Sequence, residues 1–276
     1  MTESINPQDF TIVTNKMREF FLDRDWIEVH TQSKLSILAA CEDPATVSTF
    51  NYSGKVWPLP QTGQMWLEDT LLKDPDIEGC FCLSTSYRQE ANPVPGRHDL
   101  IFPMFEFETR GGMTRLIELE IDLLKHLGFG NYDYPHVHYT DAMIKYNVEE
   151  LDIVHEEYLQ RDFDDVVFLI HFPVHTSPFW NMKLSKDGMT ANKVDVIVHG
   201  IETIGSAERS SDIEEMRQQF HTISDGRYAE LMYSHFGKER VEKELEDFLS
   251  HNFFPRCGGG IGITRMIRGM KLQGLL

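Results

Sequence analysis

The stretch GCFCLSTSYRQEANPVPGRHDLIFPMFEFETR, Gly79 to Arg110, decides the fold. GCFCLSTSYRQE reads as a strand and IFPMFEFETR as a second, aromatic-rich strand; the polar ANPVPGRHD between them carries Pro93 and Pro95, which a strand interior would not accept. Two strands joined by a loop of this length make an antiparallel hairpin. The glycines and leucines that follow, in GMTRLIELEIDLLKHLGF, place apolar residues three and four apart and end on Gly128, which predicts a helix with a glycine stop.

Working outward, Ile12, Val13, Met17, Phe20 and Phe21 recur at helical spacing, and WIEVHT after them alternates like a strand. TFNYSGKVWPLP predicts a small hairpin about Ser53-Gly54. Downstream, residues 139–163 read as broken helix, DVVFLIHFP as a buried strand, and NKVDVIVHGIETIGS as two strands turning at His199-Gly200. Residues 210–236 and 238–250 read as helices, and GGGIGITRMIRGM as strand or loop entering a helix. Strands outnumber what a βαβ alternation would supply, so the expected class is α+β, one domain over residues 1–276 with an antiparallel sheet flanked by helices.

Composition narrows the partners. The 276 residues are 41% hydrophobic and 25% charged, an ordinary globular balance, with no apolar run of membrane-spanning length and no basic-then-apolar leader. The expected location is cytoplasmic, with no membrane partner. Cys41, Cys80, Cys82 and Cys257 lack the paired spacing of a zinc or disulfide framework and read as free thiols. With 26 basic against 44 acidic residues the net charge is −18, which argues against nucleic acid as the main partner while leaving room for a local basic groove.

Several residues could carry chemistry. Arg88 and Glu90, two apart and so on one strand face, offer a guanidinium and a carboxylate, or a solvated ion pair. Arg97 and His98 in the loop bring further cations to the same side, as a polyanion would require. Asp195 and Glu202, with a His-Gly turn between them, are a candidate magnesium pair or two exposed acids; Arg209 follows where a substrate carboxylate could meet it. In GGGIGITR the glycines allow close backbone approach and Arg265 can reach a phosphate, yet neither a Walker loop nor a dinucleotide fingerprint is present. His136, His138, His171 and His175 have no companion ligands at metal spacing.

Taken in order, these segments resemble the catalytic core of class II aminoacyl-tRNA synthetases, aspartyl/asparaginyl branch. Phe10 to Thr31 is similar to the family's first motif, which implies a homodimer; YRQEANPVPGRHDLIFPMFEFE is similar to the second and GGGIGITR to the third. The resemblance implies ATP and Mg²⁺ as cofactors. It implies Arg88 on the α-phosphate, Glu90 near the adenine or the reacting amino acid, Arg97 and His98 on the outer phosphates, Phe102 stacked on adenine, and Arg265 on the γ-phosphate, with Glu202 and Gly262 also among the ATP-binding residues. Glu42 in EDPATVSTF would meet the substrate amino group, Gln64 in TGQMWLE the amino acid, Asp195 and Glu202 the metal, and Arg209 the substrate side chain.

Departures from the pattern shape the expectation. The expectation is a single domain without the family's oligonucleotide-binding domain; Thr264 stands where the family has glutamate, and Ile101 and Ala207 replace its glutamate and serine. These features resemble asparagine synthetase A, which implies an AMP-forming ligase that adenylates aspartate and passes the acyl group to ammonia or a small amine, with tRNA an unlikely partner. Leu67, where aspartyl enzymes carry lysine, resembles the asparaginyl enzymes instead, so a truncated tRNA-charging enzyme is the alternative. A catalytically silent ATP-binding paralogue is the third.

Overall fold

The computed structural model describes residues 5–40, 44–95, 97, 99–130, 133–176 and 178–276. Ten strands and nine α-helices are found among them. Eight strands form one sheet: β1 (Ile27–Glu28), β4 (Gly79–Tyr87), β5 (Ile101–Arg110), β10 (Arg256–Gly262), β9 (Ile201–Arg209), β8 (Thr190–Val198), β7 (Val166–Pro173) and β6 (His136–His138), in that spatial order. Only the two edge pairs, β1 with β4 and β6 with β7, run parallel. The predicted hairpins form, β4 against β5 and β8 against β9 antiparallel, and β2 (Thr49–Tyr52) with β3 (Lys55–Pro58) makes a separate ribbon. WIEVHT yields less strand than its alternation predicts: Ile27 and Glu28 pair in register with β4, the Val29 N–H adds one bond to Phe81 O at 2.8 Å, and the strand ends there.

One face of the sheet is covered by α1 (Pro7–Leu22), α3 (Met113–Leu127) and α9 (Ile263–Leu272) over a continuous apolar core. Phe21 of α1 packs its ring against Phe81, Phe105 and Phe107 with centroids 5.4, 5.5 and 5.6 Å away, so one side chain ties the first helix to the central hairpin. Burying a ring of this size is worth about 1.5–3 kcal/mol. Asn6 caps α1 by accepting from the Gln8 and Asp9 N–H groups, and Gly128 closes α3 at φ 108°, a left-handed value that favours glycine.

The other face is left partly open. There α2 (Gln64–Lys73) stands over β4 and β5, and α4 (Tyr139–Tyr146) and α5 (Ile153–Asp162) stand over the β7 end on a second core around Leu159, Leu169 and Ile197. A third core wraps Trp180 with α6 (Ile213–Thr222), α7 (Arg227–Phe236) and α8 (Lys238–Leu249). The predicted helix over 210–236 breaks at Ser224 and Asp225, both in left-handed conformation. Cys80, Cys82 and Cys257 are free and buried; Cys41 lies outside the described residues. No helix is long and apolar enough to cross a membrane among the described residues.

Candidate active site

The site is built by strand alternation. Phe105, Phe107, Cys257, Ile261, Val194 and Val196 point into the helix-covered core. Their neighbours Met104, Glu106, Glu108, Gly258, Gly260 and Asp195 therefore point to the open face. Two adjoining chambers of about 380 and 430 Å³ lie over it and share Arg88, Met104, Lys193, Glu202, Gly205 and Gly260.

GGGIGITR is not a loop but the central strand β10 running into α9. A Cβ on Gly258 would sit 2.0 Å from Glu108 Oε2 and 2.3 Å from the Phe107 carbonyl, and one on Gly260 would sit 2.6 Å from Met104 Cε. The glycines thus clear the chamber floor. Gly262 is the N-cap position of α9, which has no side-chain cap, and Gly262, Thr264 and Arg265 line the second chamber. An uncapped helix start offers N–H groups and a partial positive charge to an anion.

Arg88, Glu90, Arg97 and Phe102 line the same chamber. The expectation that Arg88 and Glu90 share a strand face is corrected: β4 ends at Tyr87, the Arg88 N–H still bonds across the hairpin to Leu100 O at 2.8 Å, and the chain then leaves the sheet, the Gln89 N–H donating to Thr46 O at 2.7 Å. The Arg88 guanidinium lies 5.5 Å from the Phe102 ring centroid. Arg97 forms an ion pair with Glu156 of α5, whose other oxygen accepts from the Glu202 N–H at 2.6 Å, so the hairpin loop is pinned across the site. Arg265 donates to Glu202 O at 2.8 Å and lies 3.5 Å from its carboxylate. His98 and Glu42 lie outside the described residues.

The first chamber ends in a buried polar network. Gln64 donates to Phe107 O at 2.9 Å and to Glu108 Oε2, and Arg209 approaches the same oxygen at 3.4 Å through both Nε and Nη2. Behind it Glu68 accepts from Arg256 at 2.8 Å and from Asn181 at 2.7 Å, with both members of the Glu68–Arg256 pair fully buried. Burial pushes the Glu108 carboxyl up to about 7 against the pull of Arg209. Glu106, fixed by the Gly63 N–H at 2.7 Å and by the Thr62 and Ser84 hydroxyls, forms part of the floor beside it.

Asp195 and Glu202 are brought together across Gly205: a Cβ there would lie 2.9 Å from Glu202 Oε1 and 3.6 Å from Asp195 Oδ1. Asp195 Oδ2 accepts from Lys193 Nζ at 2.8 Å, while the buried Oδ1 has no hydrogen-bond partner among the described residues. Two carboxylate oxygens facing one gap, one of them orphaned, fit a single hard cation completed by phosphate oxygens and water. Among the described residues no group of three or more His, Cys, Asp or Glu could hold a metal. Burial pushes the Asp195 carboxyl up, whereas Glu202, despite its own burial, is held below its ordinary value by Arg265 first and then Lys193, Arg88 and Arg97.

Lys193, Glu106, Glu108, Glu68 and Arg256 are site residues that the sequence reading missed. The signal for two of them was present: FEFE places acids at every second position between phenylalanines of a strand, and if the rings face the core the acids must share the other face.

Residues 8–273 match the family model described as "tRNA synthetases class II (D, K and N)". The asparagine–tRNA ligase of Desulforamulus reducens is 24% identical over 286 residues, covering 91% of this chain and 62% of that protein. That of Shewanella halifaxensis is 28% identical over 153 residues, covering 50% of this chain and 30% of the relative. Among solved structures, asparaginyl-tRNA synthetase from Pyrococcus horikoshii complexed with asparaginyl-adenylate superposes with a TM-score of 0.76 at 20% identity, covering 95% of this chain and 64% of that one. A putative aspartyl-tRNA synthetase from Leishmania major gives 0.72 at 15%, covering 95% and 61%. The likeness to these structures is one of fold, and the chain spans about 62% of the length of the first relative.

Proposed function

The chain belongs to the class II tRNA synthetases of the D, K and N group, and from that premise we propose that it condenses ATP with the α-carboxylate of asparagine to an acyl-adenylate. The carrying observation is the end of the first chamber, which Arg209 and Gln64 line and where Glu108, fully buried directly behind them, accepts from both; Arg209, which can only donate, and Glu108, which when ionised can only accept, stand 3.4 Å apart. A carboxamide satisfies both, its oxygen accepting from Arg209 and its NH₂ donating to Glu108. An aspartate side chain would set a second negative charge beside Glu108 and Glu68. This replaces aspartate, the sequence-based first expectation.

In the reaction a carboxylate oxygen bonds to the α-phosphorus, the bond from that phosphorus to the bridging oxygen breaks, and pyrophosphate leaves. Arg88 stabilises the charge growing on the α-phosphate, Arg265 and the uncapped start of α9 hold the leaving phosphates, and Phe102 with Glu90 seats the base. Asp195 and Glu202 would hold Mg²⁺, which supplies charge screening for the phosphates. Arg97 reaches the phosphates only by exchanging Glu156 for them, and Glu42 and His98 keep the roles the resemblance implies.

The acceptor is then tRNA, whose hydroxyl takes the acyl group, giving its proton to solvent while AMP leaves. The relatives' own names support this, so the expectation that tRNA is an unlikely partner is dropped. Transfer to ammonia or a small amine is the second reading, supported by Thr264 lining the phosphate chamber beside Arg265 where the resemblance expects glutamate. A dimer through α1 and β1 fits the exposure of Ile12, Leu22 and Ile27 there, each 45–51% accessible, and sedimentation tests it.

Pyrophosphate exchange decides the main reading. Asparagine should support exchange and aspartate should not, with Arg88→Ala and Arg265→Ala abolishing it in folded protein. Exchange on aspartate alone, or full activity in either variant, overturns the assignment; ammonium-dependent release of AMP without tRNA moves the acceptor to the second reading.

A further inference from the structure

Lys193 is assigned no role by the motifs or by the resemblance, yet it stands where the two chambers meet and lines both. Its position is fixed at two points. Nζ donates to Asp195 Oδ2 at 2.8 Å and lies 3.9 Å from the centroid of the Phe172 ring, a cation over an aromatic face. The side chain is 23% exposed and its partner Asp195 10% exposed, so this is a partly desolvated pair, not a surface bridge.

The placement answers an electrostatic problem. A triphosphate seated against Asp195 and Glu202 meets two carboxylates, and every anion pair so formed is repulsive unless positive charge lies between. Of the other cations at this place, Arg97 is paired with Glu156 and Arg265 with Glu202, while Arg88 lines both chambers from the hairpin side. Lys193 leaves Asp195 Oδ1 and Glu202 Oε1 facing the gap over Gly205, so it neutralises the pair without filling that gap.

We propose that the Lys193 ammonium is a built-in cation of the ATP site, supplying part of the charge that Asp195 and Glu202 would otherwise draw from a divalent ion, so that ATP binding depends only shallowly on that ion. The inference rests on the ATP reading above. It gives Lys193 two effects of opposite sign. The ammonium attracts ATP when no metal is bound, and it competes with a metal for Asp195 when no ATP is bound. A lysine that merely held β8 in place would have neither signature.

The test is calorimetric titration of wild type, Lys193→Met and Lys193→Arg with ATP, in EDTA and in saturating Mg²⁺, and separately with Mn²⁺ in the absence of nucleotide. Lys193→Met should lose about tenfold or more of its ATP affinity in EDTA and about threefold or less in Mg²⁺. The same variant should bind Mn²⁺ more tightly than wild type, and Lys193→Arg should restore metal-free ATP binding. Equal losses with and without Mg²⁺, or unchanged or weaker Mn²⁺ binding by Lys193→Met, would overturn the proposal. Lys193→Gln provides the same comparison if the methionine variant fails to fold. Arg88→Ala, run alongside, separates the two levels: wild type that binds no ATP in Mg²⁺, or Arg88→Ala that binds it as well as wild type, sinks the ATP reading, whereas the Mn²⁺ comparison bears on Lys193 alone.

Discussion

Replacing Glu120 by glutamine should raise the stability of this protein in alkaline solution and not in acid. Glu120 lies on α3, on the helix-covered side of the sheet, fully buried. Neither of its oxygens has a well-formed hydrogen bond among the described residues; the nearby Ser206 hydroxyl donates to Val194 O at 3.2 Å and offers the carboxyl at most a shared contact. Burial pushes its carboxyl from 4.5 up to about 8, with Ser206 pulling part of the way back and the charge of Asp195 adding to the rise. The folded chain therefore keeps a proton that the unfolded chain gives up above its ordinary value. Where the native state binds the extra proton, stability falls as pH rises. The contribution is whole below 4.5 and lost by about 8. A raised value of this size corresponds to about 5 kcal/mol, from roughly 1.4 kcal/mol per pH unit, of which about 4 falls between pH 5 and pH 8. Glutamine cannot ionise, so its stability curve lacks this slope. In acid the variant should match wild type or fall about 1 kcal/mol below it, since the amide brings an extra unpaired N–H; in alkali it should stand about 2–3 kcal/mol above, once relaxation and water entry are allowed for. Urea unfolding of both proteins at about pH 5 and about pH 8.5 gives the difference directly, and the other titrating groups cancel in it. Curves that stay parallel within about 1 kcal/mol would show that Glu120 ionises freely in the fold and would refute the reasoning.

Three further outcomes concern the opposite, open face of the sheet. Glu68→Gln leaves the fully buried Arg256 without its countercharge and should cost about 3–5 kcal/mol in urea unfolding, whereas removing exposed Lys73 from its pair with Asp69 should cost under about 1. Gly258→Ala drives a methyl into Glu108 and the Phe107 carbonyl, and should yield either insoluble protein or a fold weakened by about 3 kcal/mol or more, with Gly130→Ala, whose Cβ meets nothing and whose backbone is not left-handed, as the contrast. Glu108→Gln replaces a pure acceptor by a group that can donate, and should narrow the preference for asparagine over aspartate in pyrophosphate exchange by about tenfold or more; an unchanged ratio would remove Glu108 from side-chain recognition.

The sheet itself was legible in the sequence because its strands are buried on at least one face, and period-two alternation around phenylalanine and valine survives there. The hairpins 79–110 and 190–209 appear as read. What alternation could not show was which way the sheet faces. Glu106, Glu108 and Asp195 look like solvated acids until β10 is seen to run between β5 and β9, and until α2 and the loops beyond it close over them. Arg88 and Glu90 were placed on a strand because nothing in YRQE marks its end. The strand stops there for a tertiary reason, the pairing of Gln89 with Thr46 outside the sheet.

GGGIGITR shows why the two levels must be joined. Local propensity counts four glycines as a break in structure, since glycine loses the most backbone freedom when ordered. Here they form the centre of the sheet, with seven paired positions on one side and six on the other. The entropy lost is offset by two neighbours' hydrogen bonds, and the return is space: on the open face Gly258 and Gly260 put no side chain of their own into the chambers. Cys257 and Ile261, on the other face, anchor the strand in the apolar core. Beyond Arg256, a strand that is bare backbone at Gly258, Gly260 and Gly262 on its open face is what a site needs when a flat, extended anion must lie against it. The same alternation then delivers the chain to Gly262, where strand gives way to helix and Arg265 enters the site one turn later. The glycines therefore act by shaping the floor, and the phosphate chemistry falls to residues the strand positions.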